Sequence, residues 1–217
     1  MRTCGPFFLT SLLILGACET PGPEPVPTAV AAPEAVRLEG WQAVALPEHR
    51  RRLDGLGAAW AAAIAAAERT GFRAHLRDEG ALLDPDAALP RAGLAPGPYR
   101  CRLIRFAGGR RAVTAYRRYF CHVLVEGEQM SLTKDDGSER PGGYLWPDRD
   151  ERQVFLGAVA LGGERLPPAY GEDDSRDLVG VVERVEPFRY RLVMPAPPSG
   201  AILDVLELIP FVLDEGE

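Results

Sequence analysis

From Gly97 onward the chain is a succession of about eight short apolar, aromatic and β-branched runs, at 99–106, 116–125, 129–133, 143–146, 153–161, 178–185, 190–194 and 202–209. Turn formers separate them: Gly108-Gly109, Glu126-Gly127-Glu128, Asp135-Asp136-Gly137-Ser138, residues 148–151, Gly162-Gly163, Glu186-Pro187 and residues 195–200. Runs this short, joined by mostly tight turns, pair with their sequence neighbours and build an antiparallel meander. An open meander leaves two unpaired edges, and closure into an up-and-down barrel removes both. The expected fold is therefore α+β: an N-terminal helical segment followed by an antiparallel up-and-down β-barrel of about eight strands, lipocalin-like in architecture.

Side chains alternate across a strand, so Tyr119, Cys121, Val123 and Val125 share one face, with Phe120, His122 and Leu124 on the other. Tyr99, Cys101 and Leu103 likewise share a face. Two lumens are open to this pattern. One holds Tyr99, Leu103, Tyr119, Val123, Val154, Leu156, Val179 and Leu203; the other holds Phe106, Phe120, Leu124, Phe155, Val182 and Leu208. A barrel that binds a small ligand would leave roughly a few hundred Å3 of its lumen unfilled.

Ahead of the barrel domain, 97–217, residues 39–96 read as a helical region. Between Glu48 and Thr70 the chain is alanine-rich and free of proline, and Leu53, Leu56, Trp60 and Ile64 form one amphipathic stripe. Pro47 suits the first helical turn and Gly71 a C-terminal stop. A second helical segment is expected over 75–83, before Asp84-Pro85. Arginine borders the stripe only at 50–52, so packing on the barrel, rather than on a membrane surface, is the expected use.

The N-terminus has the parts of a secretory signal: Arg2, an apolar run over 7–15 too short to span a bilayer, which needs about 20 residues, and small residues before a cut. Leu15-Gly16-Ala17-Cys18 resembles the lipobox of bacterial lipoproteins, which implies a signal peptide over 1–17 and diacylation of Cys18. Proline at alternate positions after Cys18 favours extended backbone, so 18–38 reads as a tether between lipid and folded part. Glu19, where inner-membrane lipoproteins of enteric type carry aspartate, points by the same resemblance to the outer membrane. The expected address is the bacterial cell envelope, anchored by lipid and facing the periplasm.

Losing 1–17 removes Arg2 alone among charged residues, so the formal net charge of -6 becomes -7. That balance argues against nucleic acid and against electrostatic binding to anionic headgroups. It leaves acyl chains on Cys18 as the attachment. Of four cysteines, Cys4 leaves with the signal and Cys18 takes the lipid. Cys101 and Cys121 remain in an oxidising compartment, on strand faces that can meet, and are expected to form a disulfide.

No residue pattern assembles a catalytic or metal site. His49, His75 and His122 are far apart and lack zinc spacing, and His122 points away from Cys121. Ser131, Ser138, Ser175 and Ser199 sit in no nucleophile elbow. The Asp173–Asp177 stretch lacks the glycine and terminal glutamate of a calcium loop and reads as a solvated acidic turn. Gly142-Gly143 and Gly162-Gly163 precede no helix that would cradle phosphate. Arginine supplies nearly all the positive charge, with Lys134 the only lysine, a bias that reads as genome composition rather than as a binding signal.

Several strings together, Pro98-Tyr99-Arg100-Cys101-Arg102, Phe120-Cys121, residues 136–143, Val154-Phe155-Leu156-Gly157, Tyr170-Gly171, residues 180–184 and 204–210, resemble an uncharacterised family of bacterial envelope proteins, domain of unknown function 4893. The resemblance runs from about Trp60 to Pro210 and implies no chemistry, cofactor or catalytic residue. The barrel is also similar at the level of architecture to lipocalins and to one-disulfide protease inhibitors. It lacks the lipocalin Gly-x-Trp start, since Gly97-Pro98-Tyr99 stands there, and a helical region replaces the inhibitors' inserted N-terminal trunk. The expected role is a non-catalytic binding module for a small apolar ligand or an envelope partner. A protease-inhibitor-like or assembly role is the alternative, and an envelope hydrolase ranks last.

Overall fold

The structure, a computed structural model, describes residues 39–211. The expected signal segment, Cys18 and the expected tether lie outside the described residues. Eight strands, β1 (Gly97–Phe106), β2 (Val113–Glu126), β3 (Gln129–Lys134), β4 (Glu139–Arg149), β5 (Arg152–Leu161), β6 (Asp177–Glu186), β7 (Arg189–Pro195) and β8 (Leu203–Pro210), form a closed antiparallel barrel in sequence order. β8 returns to β1, with Leu103 opposite Leu206 and Arg105 opposite Asp204. The up-and-down barrel read from the turn clusters is therefore the observed fold. β4 is longer than its apolar run, because Pro141, Gly142 and Gly143 pair with Val159, Ala158 and Gly157 of β5.

Neither of the two expected lumens is the real one. The lumen takes Tyr99, Leu103, Tyr119 and Val123 from the first set and Phe155, Val182 and Leu208 from the second. Val154, Leu156, Val179, Leu203 and Phe106 instead face outward beneath the helices, and Phe120 and Leu124 are exposed. Each strand sets its parity separately, through its own turn and register. Bulges between β1 and β2, β4 and β5, and β6 and β7 break any common count along the chain.

Glycines let the barrel curve tightly around that core. Gly157 of β5 approaches β4 so closely that an added Cβ would lie 2.2 Å from the Gly142 carbonyl oxygen, and the Phe155 ring covers the bare position. Cys101 and Cys121 join neighbouring strands as a disulfide inside the lumen, with each cysteine fully buried.

The helices cover the outer face of one side of the barrel. They are α1 (Trp41–Val44), α2 (Pro47–Asp54), α3 (Leu56–Arg69) and α4 (Arg73–Glu79), followed by a 3-10 turn, Gly80–Leu82. The expected single helix is interrupted at Gly55, across which the Gly55 N–H still reaches the Arg51 carbonyl and the Ala59 N–H the Gly55 carbonyl. Pro47 occupies the first turn. Gly71, at φ 88, ends α3 while the Phe72 N–H closes back on the Ala67 carbonyl. The stripe packs as expected: Leu53 and Trp60 are buried against Phe106, Val179, Val193 and Leu203, with Leu56 and Ile64 half-buried beside them. No described helix is long and apolar enough to cross a membrane.

The remaining residues to 96 are not helical and seal one end of the barrel. The Leu89 N–H bonds the Arg184 carbonyl and the Ala92 N–H that of Asp150, which brings Leu94 into the lumen core. The Tyr99 phenol donates to the Ala95 carbonyl, and burial pushes it up to about 12. At this end the hairpins are two-residue turns at 127–128, 150–151 and 187–188. The opposite end carries the longer connections, 107–112, 135–138, 162–176 and 196–202, and stays open.

Candidate functional site

Beside a smaller hollow of about 70 Å3 lined by Tyr116, Tyr119 and Ser138, the open end has a cavity of about 150 Å3 that reaches into the lumen. Its walls are apolar, from Pro141, Val159, Leu178, Met194 and Leu206, with Pro197 and Pro198 at the rim. Below it the lumen is filled by Phe155, Leu132, Leu192 and the disulfide. The free space is thus smaller than a few hundred Å3 and confined to the mouth.

Five ionic side chains line this mouth; one, Arg176 at the rim, is paired with Glu164 and Asp173. Arg105, at the end of β1, donates from Nε to both Asp204 oxygens at 2.9 and 3.2 Å, and from Nη2 to Asp204 at 2.7 Å. The same Nη2 reaches Glu139 at 2.7 Å from across the barrel. Burial pushes the Asp204 carboxyl above its usual range, and the Arg105 guanidinium pulls the other way. Burial opposes the charge of Arg105, but Asp204 and Glu139 hold its pKa above the ordinary arginine value.

Lys134 ends β3 and is buried at the same mouth. Its Nζ donates to the Asp136 carbonyl at 2.5 Å and the Glu139 carbonyl at 3.0 Å, and lies 3.9 Å from the Tyr119 ring centroid. Burial lowers its pKa, partly offset by Asp136. Gly137 in this turn has φ 97, and an added Cβ would sit 2.7 Å from that Nζ. The only lysine is therefore a fixed part of the β3–β4 turn.

The histidines stay apart. His49 is buried under α2, 2.7 Å from the Tyr170 hydroxyl; His75 lies on α4; His122 sits on the outer face, 2.5 Å from Asp135. Among the described residues no group of three or more His, Cys, Asp or Glu is placed to hold a metal ion. The acidic stretch is only partly a solvated turn. Asp173 accepts from the Ser175 N–H and pairs with Arg176, whereas Asp177 is fully buried and accepts from the Gly171 N–H. Arg102, on the outer face of β1, is covered by α4 and held between Glu79 and Glu207.

Arg105, Asp204 and Glu139 were not singled out from sequence. One signal was present: Asp204 interrupts the apolar run 202–209 at a position whose neighbours two residues on, Leu206 and Leu208, point into the core. A charge at such a position requires a partner. The partner lies 99 residues away and leaves no local trace.

A profile of the family described as Domain of unknown function (DUF4893) matches residues 41–208. No curated protein and no solved structure matches the chain.

Proposed function

The chain belongs to the DUF4893 family, and we propose that it is a lipid-anchored envelope protein whose barrel is a non-catalytic binding module. Its mouth takes one compact apolar group, presented by a small ligand or by an envelope partner. The mouth cavity carries this reading: about 150 Å3 with apolar walls and ionic side chains around its opening, at the end of the barrel that holds the long loops. A cavity of that size accommodates a group about as large as benzene. The filled lumen beneath it sets the limit on what enters. For the address, support comes from Leu15-Gly16-Ala17-Cys18 and the proline-rich stretch behind it, and Glu19 favours the outer membrane.

An envelope protein as partner draws on a second observation. Among the described residues no helix covers the outer face of β2, where Phe120, edge-on to the Phe211 ring, and Leu124 are about half exposed.

Benzyl alcohol titrated into isotopically labelled full-length protein tests the mouth. Saturable NMR shifts are expected at Leu178, Met194 and Leu206, and Val159→Phe, which fills the cavity, should abolish them. A folded protein that shows no saturable shift at these residues would overturn the mouth as a binding site.

A further inference from the structure

We infer that Glu139 is a resident stand-in for the carboxylate of a short acyl or aryl acid, and that such an acid binds in the mouth by taking its place on Arg105. This rests on the mouth being the binding site, and it names the ligand class.

The two carboxylates on Arg105 are held very differently. Asp204 is the direct cross-strand neighbour of Arg105, its side chain is 4% exposed, and it accepts from Nε and Nη2 together. It is a fixed counter-ion. Glu139 comes from the opposite wall, beside the 135–138 turn, makes one contact to Nη2, and its side chain is 40% exposed. The Glu139 end of the pair is open to water while the Arg105 side chain is 17% exposed, so an incoming carboxylate can replace Glu139 on Nη2 without leaving the guanidinium unpaired. Nη1 of Arg105 has no hydrogen-bond acceptor among the described residues, which leaves further donors for an incoming head group.

Charge and shape agree on the replacement. With Glu139 in place, Arg105 and Lys134 balance Glu139 and Asp204, and the fifth ionic side chain, Arg176 at the rim, is paired with Glu164 and Asp173. When Glu139 turns out to solvent, one positive charge is left uncompensated in the mouth, the amount a monocarboxylate neutralises. The apolar cavity is lined by Arg105 and Glu139 as well as by Val159, Leu178 and Met194, so a tail in the cavity places its carboxylate against the guanidinium. The planar guanidinium fork suits that head group better than a point charge would.

Pentanoate and its uncharged analogue pentanamide separate this inference from the reading it rests on. Each is titrated by NMR into the full chain and into Glu139→Gln, with thermal melts to establish that the variant folds. Pentanoate should bind both proteins, about three- to tenfold tighter to Glu139→Gln, because the internal competitor has gone. Pentanamide should bind both about equally. Unchanged or weaker pentanoate binding in Glu139→Gln would overturn the stand-in role, and pentanamide binding in the same samples would leave the mouth intact as a binding site. If neither compound binds either protein, both readings fail. Glu139→Asp, which retains the charge on a shorter arm, should fall between the two; tightening equal to that of Glu139→Gln would also count against competition.

Discussion

The guanidinium of Arg191 lies 5.0 Å from the centroid of the Trp60 ring and 2.7 Å from the Glu183 carboxylate, with Arg191 wholly buried between barrel and helices. Its remaining N–H groups donate to the carbonyls of Leu82, Asp84 and Pro85 at 3.0, 2.6 and 3.3 Å. One side chain of β7 thus fastens the 3-10 turn after α4, braces the central tryptophan of α3 and neutralises a buried carboxylate of β6. The apolar stripe brings the helices to the barrel, and Arg191 fixes where the chain turns back across it.

Arg191→Leu should therefore destabilise the protein by about 3–5 kcal/mol, since it leaves Glu183 buried without a counter-charge and several carbonyls without donors. The double replacement Arg191→Leu with Glu183→Leu should cost less than the single one. Urea unfolding of the two variants measures the difference, and equal losses would show that the ion pair is not what the single variant breaks.

Breaking the Cys101–Cys121 bond releases a crosslink between positions 20 apart in sequence. On loop-closure entropy the loss is about 3 kcal/mol, within the 2–5 kcal/mol typical of small secreted domains. Melting with and without reductant, alongside the Cys101→Ala and Cys121→Ala double variant, reads this directly.

Gly157→Ala should cost about 1–3 kcal/mol, because the new methyl forces β4 and β5 apart where they are closest. Gly163→Ala, which meets nothing within 4 Å, is the control and should leave the midpoint of chemical unfolding unchanged.

Stability should fall on mild acidification. Burial lowers the His49 pKa from 6.5, as does Arg52, against the opposing pull of Asp177. The folded state then binds fewer protons than the unfolded one, so the contribution of His49 is complete above 6.5 and is lost as pH drops towards the lower folded value. His49→Gln, which keeps a polar group for the Tyr170 hydroxyl, should flatten the stability profile in that window.

Cys18→Ala should give an unprocessed precursor without lipid. Intact-mass analysis of the envelope and soluble fractions checks it; a normally cleaved, lipid-free product would reject the anchor.

Strand number, strand order and barrel closure were legible in the sequence, because turn residues are local signals and tight turns force neighbours in sequence to pair. The disulfide was legible as well, since Cys101 and Cys121 sit on strands adjacent in sequence. The lumen face was not. Alternation marks a face only where the other face is polar, and on β5, β6 and β8 the helices bury the outer side as thoroughly as the core buries the inner one. Leu156 and Phe155 are therefore equally apolar and equally buried, yet one faces α-helix and the other lumen. The mouth was illegible for a related reason. Arg105, Lys134, Glu139 and Asp204 each stand on a different strand, and what they do depends on the closure of β8 onto β1, which sets the first and last strands side by side. Sequence determined that a barrel forms; closure alone decided which charges it holds and where it is open.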